Sequence, residues 1–303
     1  MKNALICFIL ISIVLLSCKK DNHNKTTEPQ TKLYPVTFTI SNFTQQNEPI
    51  NQKSKTKINA TVTPDSSTVK RLIYKVYDSS NTLKRTIVVN KGGPGFGTFK
   101  DSLATGNYTA VFVGVVNVTS FADDGSKFYY IDNSTGTPRK ADPSETFYKK
   151  ISFAVGSQHL QQNVVLERLN SQIQIIMKDA IPSYIRSIRL NITGQNLSYS
   201  YLGDTSSDES SITILTLIPS DKIGTTNYTL KTLPNLLNTN STVTVEVISY
   251  GAENVEATRK TISNITLQRN TLTILTGNVF TGDTNGFTVT YNSVYNPDIN
   301  VGF

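Results

Sequence analysis

The chain has 303 residues, a formal net charge of +7, two cysteines, two histidines and no tryptophan. Its basic residues are scattered and its aromatics are not interleaved with them, so a nucleic-acid platform is excluded, and the charge reads as solubility with some affinity for acidic cell-surface polymers. Both cysteines, Cys7 and Cys18, lie near the start, which leaves nothing beyond residue 18 for a disulfide, a thiol nucleophile or a thiolate metal site.

In chain order, Lys2 precedes an apolar run from Ala4 to Leu16, broken only by Ser12. That run is shorter than the roughly 20 apolar residues needed to span a bilayer. Its length and flanks fit a secretory signal peptide over residues 1–17. Leu15-Leu16-Ser17-Cys18 resembles the bacterial lipobox, in which the cysteine is acylated and becomes the first mature residue. The resemblance implies lipid, palmitate included, on Cys18. One acyl chain holds weakly, at about 0.8 kcal/mol per buried CH2, whereas two or more hold stably. Lys19-Lys20-Asp21 is similar to the surface-export signal of Bacteroidota lipoproteins, which implies display from the outer membrane. Residues 18–32 are almost devoid of apolar side chains and read as a flexible tether.

Strand signals begin at Val36, Phe38 and Ile40, which share one face at period two. Ile58, Ala60 and Val62 repeat the pattern, and Leu72, Tyr74 and Val76 alternate with Arg71, Ile73 and Lys75. A turn at 78–81 makes Leu83 to Val89 a hairpin partner, and the glycine loop 92–97 reads as another hairpin connection. Tyr108 to Val116, apolar on both faces, reads as a central strand. Residues 117–145 read as a long polar loop with few strand signals; no segment shows sustained helical periodicity, though Pro143 to Lys150 could hold a short helix. Phe147 to Val155 and Val164 to Leu166 complete a first domain over 33–168. A second, over 169–303, runs through Ile173 to Met177, Ile188 to Ile192, Leu197 to Tyr201, Ile212 to Ile218, Tyr228 to Leu230, Val243 to Val247, Arg259 to Leu267 and Thr271 to Leu275. Phe287, Val289 and Tyr291, again at period two, form a terminal strand. Many short strands punctuated by Asn, Asp, Gly and Ser predict an all-β chain of two sandwiches. Asn163-Val-Val-Leu-Glu-Arg168 resembles Asn264-Ile-Thr-Leu-Gln-Arg269, as in a duplication.

Catalytic chemistry finds little footing. His23 falls in the tether, and His159 is the one histidine in the body, so neither a histidine metal site nor a Ser-His-Asp set assembles readily. The loop 92–97 lacks the Gly-Lys-Ser/Thr of a P-loop. Asp123-Asp124-Gly125-Ser126 and Asp204 with Asp208-Glu209 offer oxygens of the kind calcium prefers, but they read as solvated turns. Tyr129-Tyr130 and Tyr199 with Tyr201 could stack on sugars, although at period two they read as strand faces. No enzyme, cofactor or metal is expected.

Val36-Thr-Phe-Thr-Ile-Ser-Asn-Phe-Thr-Gln45, Leu72-Ile-Tyr-Lys-Val-Tyr-Asp78, Gly106-Asn-Tyr-Thr-Ala110 and Gln268-Arg-Asn-Thr-Leu-Thr-Ile-Leu-Thr-Gly-Asn-Val-Phe280 resemble strands of the fimbrillin-like lipoproteins of the Bacteroidota, the FimB/Mfa2 type of fimbrial anchor and accessory subunit. The resemblance implies two tandem transthyretin-like, Greek-key β-sandwiches. It also implies a place in surface fimbriae with other fimbrial subunits as partners, adhesion to a host or biofilm surface ligand, and assembly by strand complementation. Phe287, Val289 and Tyr291 are the candidates for an exchanged strand; equally, they could complete their own domain. Shaft subunits of this kind are cut after an arginine that follows the first strand. Between Ile40 and Ser67 this chain carries Lys53, Lys55 and Lys57 but no arginine, which favours an anchor or accessory subunit that keeps its lipid. The alternative reading is a surface glycan-binding lipoprotein of a polysaccharide-uptake system.

Overall fold

The computed structural model describes residues 31–43, 69–132, 139–140, 144–231, 242–281 and 286–292. Cys18, His23, the strand expected at 58–62 and the lysines at 53, 55 and 57 lie outside them. The first ten strands are β1 (Leu33–Phe43), β2 (Arg71–Asp78), β3 (Leu83–Asn90), β4 (Thr98–Ala104), β5 (Gly106–Val115), β6 (Phe121–Asp123), β7 (Lys127–Asp132), β8 (Arg139–Lys140), β9 (Thr146–Val155) and β10 (Leu160–Arg168). Then come β11 (Gln172–Met177), β12 (Ser187–Ser200), β13 (Ser206–Leu217), β14 (Tyr228–Lys231), β15 (Thr242–Tyr250), β16 (Glu256–Thr266), β17 (Leu272–Gly277) and β18 (Thr288–Asn292). Among the described residues there is no α-helix.

β1 forms because Val36 and Phe38 put apolar groups on one face and both are fully buried. β1 lies between β4, antiparallel, and β10, parallel. β2, β3, β5 and β9 form the opposing layer in the order β3-β2-β5-β9. The two layers meet at a corner where β9 and β10 share only the pairs Tyr148↔Glu167 and Phe147↔Arg168. Between them Phe38 packs its ring 5.2 Å from Phe112, 5.1 Å from Phe153 and 5.8 Å from Tyr74. Burial of each such ring stabilises by about 2–3 kcal/mol.

The second half repeats this plan. β11 pairs parallel with β17 and antiparallel with β14, as β1 does with β10 and β4. β12, β13, β15 and β16 form the opposing layer in the order β13-β12-β15-β16, matching β3-β2-β5-β9. Ile175, Leu190, Ile192, Val245 and Leu275 fill the space between the layers. The repeat is therefore one of topology. The six-residue echo does not mark it, because Asn163–Arg168 lies in β10 whereas Asn264–Arg269 begins in β16, which holds the place of β9.

A third apolar cluster joins the halves. Residues 117–145, expected as loop, contain β6 and β7, and β7 pairs with the far end of β12 through Tyr199↔Phe128. Periodicity missed them because lysines and aspartates interrupt short apolar runs. β12 is one long strand, not two. It pairs with β15 up to Thr193, bulges at Gly194, and continues alone with β13 to meet β7. Gly194 has φ +87°, and a Cβ there would lie 2.9 Å from the Thr242 carbonyl oxygen, so the bulge requires glycine. Phe128, Tyr130, Tyr148, Tyr199, Tyr201, Ile73, Tyr77 and Val113 belong to the cluster. The link between the halves is itself buried: Leu169, Asn170 and Ser171 are each no more than 2% exposed. Leu33–Phe303 forms one compact unit.

Two further expectations are corrected. The helix over 143–150 is absent where described: β9 begins at Thr146, and Phe147 and Tyr148 alternate into two different cores. The glycine loop 92–97 is not a hairpin connection, because β3 and β4 do not pair; it carries the chain from one layer of the first sandwich to the other.

Candidate functional site

The terminal strand is the feature that departs most from a closed sandwich. β18 pairs antiparallel with β17 of its own chain, with Leu275 opposite Val289 and Thr273 opposite Tyr291. Phe287, Val289 and Tyr291 therefore face the same side as the core residue Leu275. Only Phe287 reaches cover, as a half-buried ring packed against the second core. Val289 is 36% exposed and Tyr291 44%. Thr288 and Thr290, on the opposite face, are exposed as well. The strand overhangs the sandwich, held by its main-chain hydrogen bonds and by one ring.

That ring has a prepared seat. Gly277, at the end of β17, lies directly beneath it, and a Cβ at 277 would come within 2.8 to 2.9 Å of three of its carbons. Beyond Gly277 the chain is gripped by Asp179, whose carboxylate accepts the backbone N–H groups of Val279 at 3.0 Å, Phe280 at 2.6 Å and Thr281 at 2.9 Å. The stem of the tail is thus firmly fixed, while the strand that follows is lightly held. Beside β18, opposite Tyr291 in β17, Thr273 is fully buried and its hydroxyl lacks a hydrogen-bond partner.

The other residues singled out in the sequence serve the fold. His159 is exposed; its Nε2 lies 2.9 Å from the Thr37 hydroxyl, and Nδ1 faces Gln161. Asp123 meets the buried Lys75 ammonium at 2.9 Å and accepts the Gly125 N–H. Asp124 accepts Ser126 and Lys127 N–H groups within its own turn. Asp208 pairs with Lys127 at 2.9 Å. Asp204 pairs with Arg269 at 2.8 Å and accepts the Tyr199 hydroxyl; burial works to raise its pKa, but these two donors outweigh it and hold the carboxyl below the usual range. Among the described residues no group of three or more His, Cys, Asp or Glu could hold a metal ion. Tyr130, Tyr199 and Tyr201 are fully buried and offer no sugar platform.

Sequence reasoning missed the junction residues Lys75, Arg168 and Asn270. Arg168 is 1% exposed, donates to Glu145 at 2.6 Å and to Asn270 at 3.1 Å, and so ties the end of β10 to the start of β17. Lys75 lies over the Tyr201 ring, 4.8 Å from its centre. The available signal was β2 itself, where Lys75 stands in an otherwise apolar run.

The fold places this chain among known architectures. It is similar to the fimbrial anchor protein Mfa2 from Porphyromonas gingivalis at 14% identity and a TM-score of 0.53, covering 86% of this chain and 98% of that one. A Bacteroides thetaiotaomicron protein described as a candidate adhesin is similar at 13% identity and a TM-score of 0.51, covering 88% and 98%. A candidate cell adhesion protein from Bacteroides eggerthii gives 10% identity and a TM-score of 0.50, covering 86% and 95%. No curated protein sequence matches the chain. The profile of the family described as fimbrillin-A associated anchor proteins Mfa1 and Mfa2 matches residues 28–298, nearly the whole chain, and this chain belongs to that family.

Proposed function

We propose that this chain is a lipid-anchored, surface-exposed subunit of a fimbria that holds other fimbrial subunits by β-strand complementation. Family membership supports the fimbrial and adhesive role. One observation carries the finer reading: β18 is exposed on both faces beyond Phe287, yet occupies the edge of a fully built sheet. A strand so placed can leave with little loss of apolar burial, and the β17 edge it vacates is a template for a strand from another subunit. In this reading Phe287, Val289 and Tyr291 are the exchanging residues. Acylated Cys18 tethers the body to the outer membrane through residues 18–32. The repeated plans over 33–168 and 169–303 act as two domains joined rigidly.

The test is recovery of the protein from its own cell envelope with whatever it holds. Fimbrillin-like subunits in the recovered material, lost on deletion of residues 287–303, support the reading. Recovery of an outer-membrane transporter with its glycan, and no fimbrial subunit, would sink it. Replacing Cys18 with serine should release the body from the membrane fraction; an unchanged membrane fraction counts against the tether.

A further inference from the structure

Among the described residues the second sandwich has another open edge, on the layer opposite the tail: β13 is paired on one side only, with β12. Natural edge strands are usually guarded by lysines, prolines or bulges, since an unpaired row of N–H and C=O groups will accept another strand. The other long edges here follow that rule. β3, which holds the same place in the first sandwich, carries Lys84 and Arg85; β4 carries Lys100; β16 carries Arg259 and Lys260. In β13 the charges, Asp208 and Glu209, are confined to its start. The stretch Ile212-Thr213-Ile214-Leu215-Thr216-Leu217 has no charge, no proline and no bulge of its own. Leu215 is 57% exposed and Leu217 74%.

The main chain there is oriented for pairing. Ile218 N–H donates to Arg186 O at 2.8 Å, which fixes the even-numbered residues as those bonded to β12. By the alternation of an antiparallel ladder, Thr213, Leu215 and Leu217 direct their N–H and C=O groups to the open edge. We infer that this edge pairs with the same edge of a second copy, antiparallel, about a two-fold axis through Leu215. The segment is self-complementary in that register. Leu215 meets Leu215 of the other copy, Thr213 meets Leu217, and Ile214 meets Thr216, so each face stays matched. Ile214 is only partly covered by its own core, and a neighbouring strand completes its cover. Asp208 and Glu209 fall beyond the paired stretch, so no carboxylates oppose one another. Another chain's strand is the competing occupant, but the symmetric match of uncharged residues on both faces favours a second copy.

The paired stretch is short and buries less than the about 800 Å² per partner of a standard interface, so the dimer is weak in solution, with half-association between about 10 µM and 1 mM. Tethering two copies on one surface raises their local concentration and favours it. Sedimentation equilibrium on the chain from Lys19 onward, which has no cysteine and keeps the compact unit Leu33–Phe303, tests this. A monomer–dimer equilibrium is expected, and Leu215→Lys, at an exposed site, should weaken it at least about tenfold by placing two ammonium groups face to face on the axis. Separately, Leu215→Cys should form an intermolecular disulfide in oxidised glutathione, because directly opposed residues have Cα atoms about 5.5 Å apart. Thr213→Cys, displaced from its own counterpart by the register, should not. A chain that stays monomeric throughout the range, a dimer that Leu215→Lys leaves intact, or cross-linking at 213 as readily as at 215 would each overturn the inference. So would a monomer whose edge is occupied only after a different envelope protein is added.

Discussion

A methyl group at position 277 would sit 2.8 to 2.9 Å from three ring carbons of Phe287, closer than nonbonded carbons approach. Gly277→Ala should therefore lift the ring from its seat and cost about 1–3 kcal/mol, localised at the tail. Phe287→Ala should cost about 2 kcal/mol at the same place. Both should speed proteolysis of the tail while the midpoint of global unfolding moves little; a large fall in that midpoint would mean the tail is integral to the core. Charge at the junction gives a second residue-level prediction. Burial pushes the Tyr77 phenol up to about 12, helped by the charge of Asp123. Burial raises Tyr130, Tyr148, Tyr199 and Tyr201 as well. An unfolded tyrosine ionises near pH 10. The folded state favours the neutral phenols, so their contribution is fully present below about pH 10 and is lost as pH rises toward the folded values. Denaturant midpoints should fall steadily above about pH 10, and tyrosinate absorbance from these residues should appear only with unfolding. Simple titration of all tyrosines in a folded chain would contradict this.

Elements, not single residues, explain what the sequence made legible. Strands with a clear alternation were readable: β1, β15 and the hairpin β2–β3 stand where it placed them. Which of them serve two cores was not. β2 buries Leu72, Tyr74 and Val76 in the first sandwich and Ile73 and Tyr77 in the junction, with Lys75 between them, so its alternation of polar and apolar residues does not separate inside from outside. β7 was unreadable because its partner, the extended end of β12, lies about 70 residues away in the chain, and β6 is held only through β7. The terminal strand was legible as a strand, but its overhang was not, since exposure depends on what lies opposite. Two predictions belong here. Gly194→Val puts a branched Cβ at φ +87° against the Thr242 carbonyl and should cost about 2–4 kcal/mol. Asp123→Asn leaves the Lys75 ammonium buried over the Tyr201 ring and should cost about 3 kcal/mol, most of it recovered when Lys75→Met is added. Chemical denaturation of the single and double variants measures both, and an additive double variant would show that the pair does not act as a unit.

At the scale of the whole molecule, the repeated sandwich plan is converted into one body by the buried link Leu169–Ser171, the bond from Arg168 to Asn270 and the docking of β7 on β12. The contrast that matters is between that body and the tail it holds lightly. Hydrogen exchange read by mass spectrometry over the whole body tests the contrast most directly. Amides of β18 should exchange at least about a hundredfold faster than those of β17 that face β11, through local opening that leaves the body folded. Exchange of β18 only at the rate of global unfolding would mean that the tail is a permanent strand of its own sandwich, and the proposed exchange would fall.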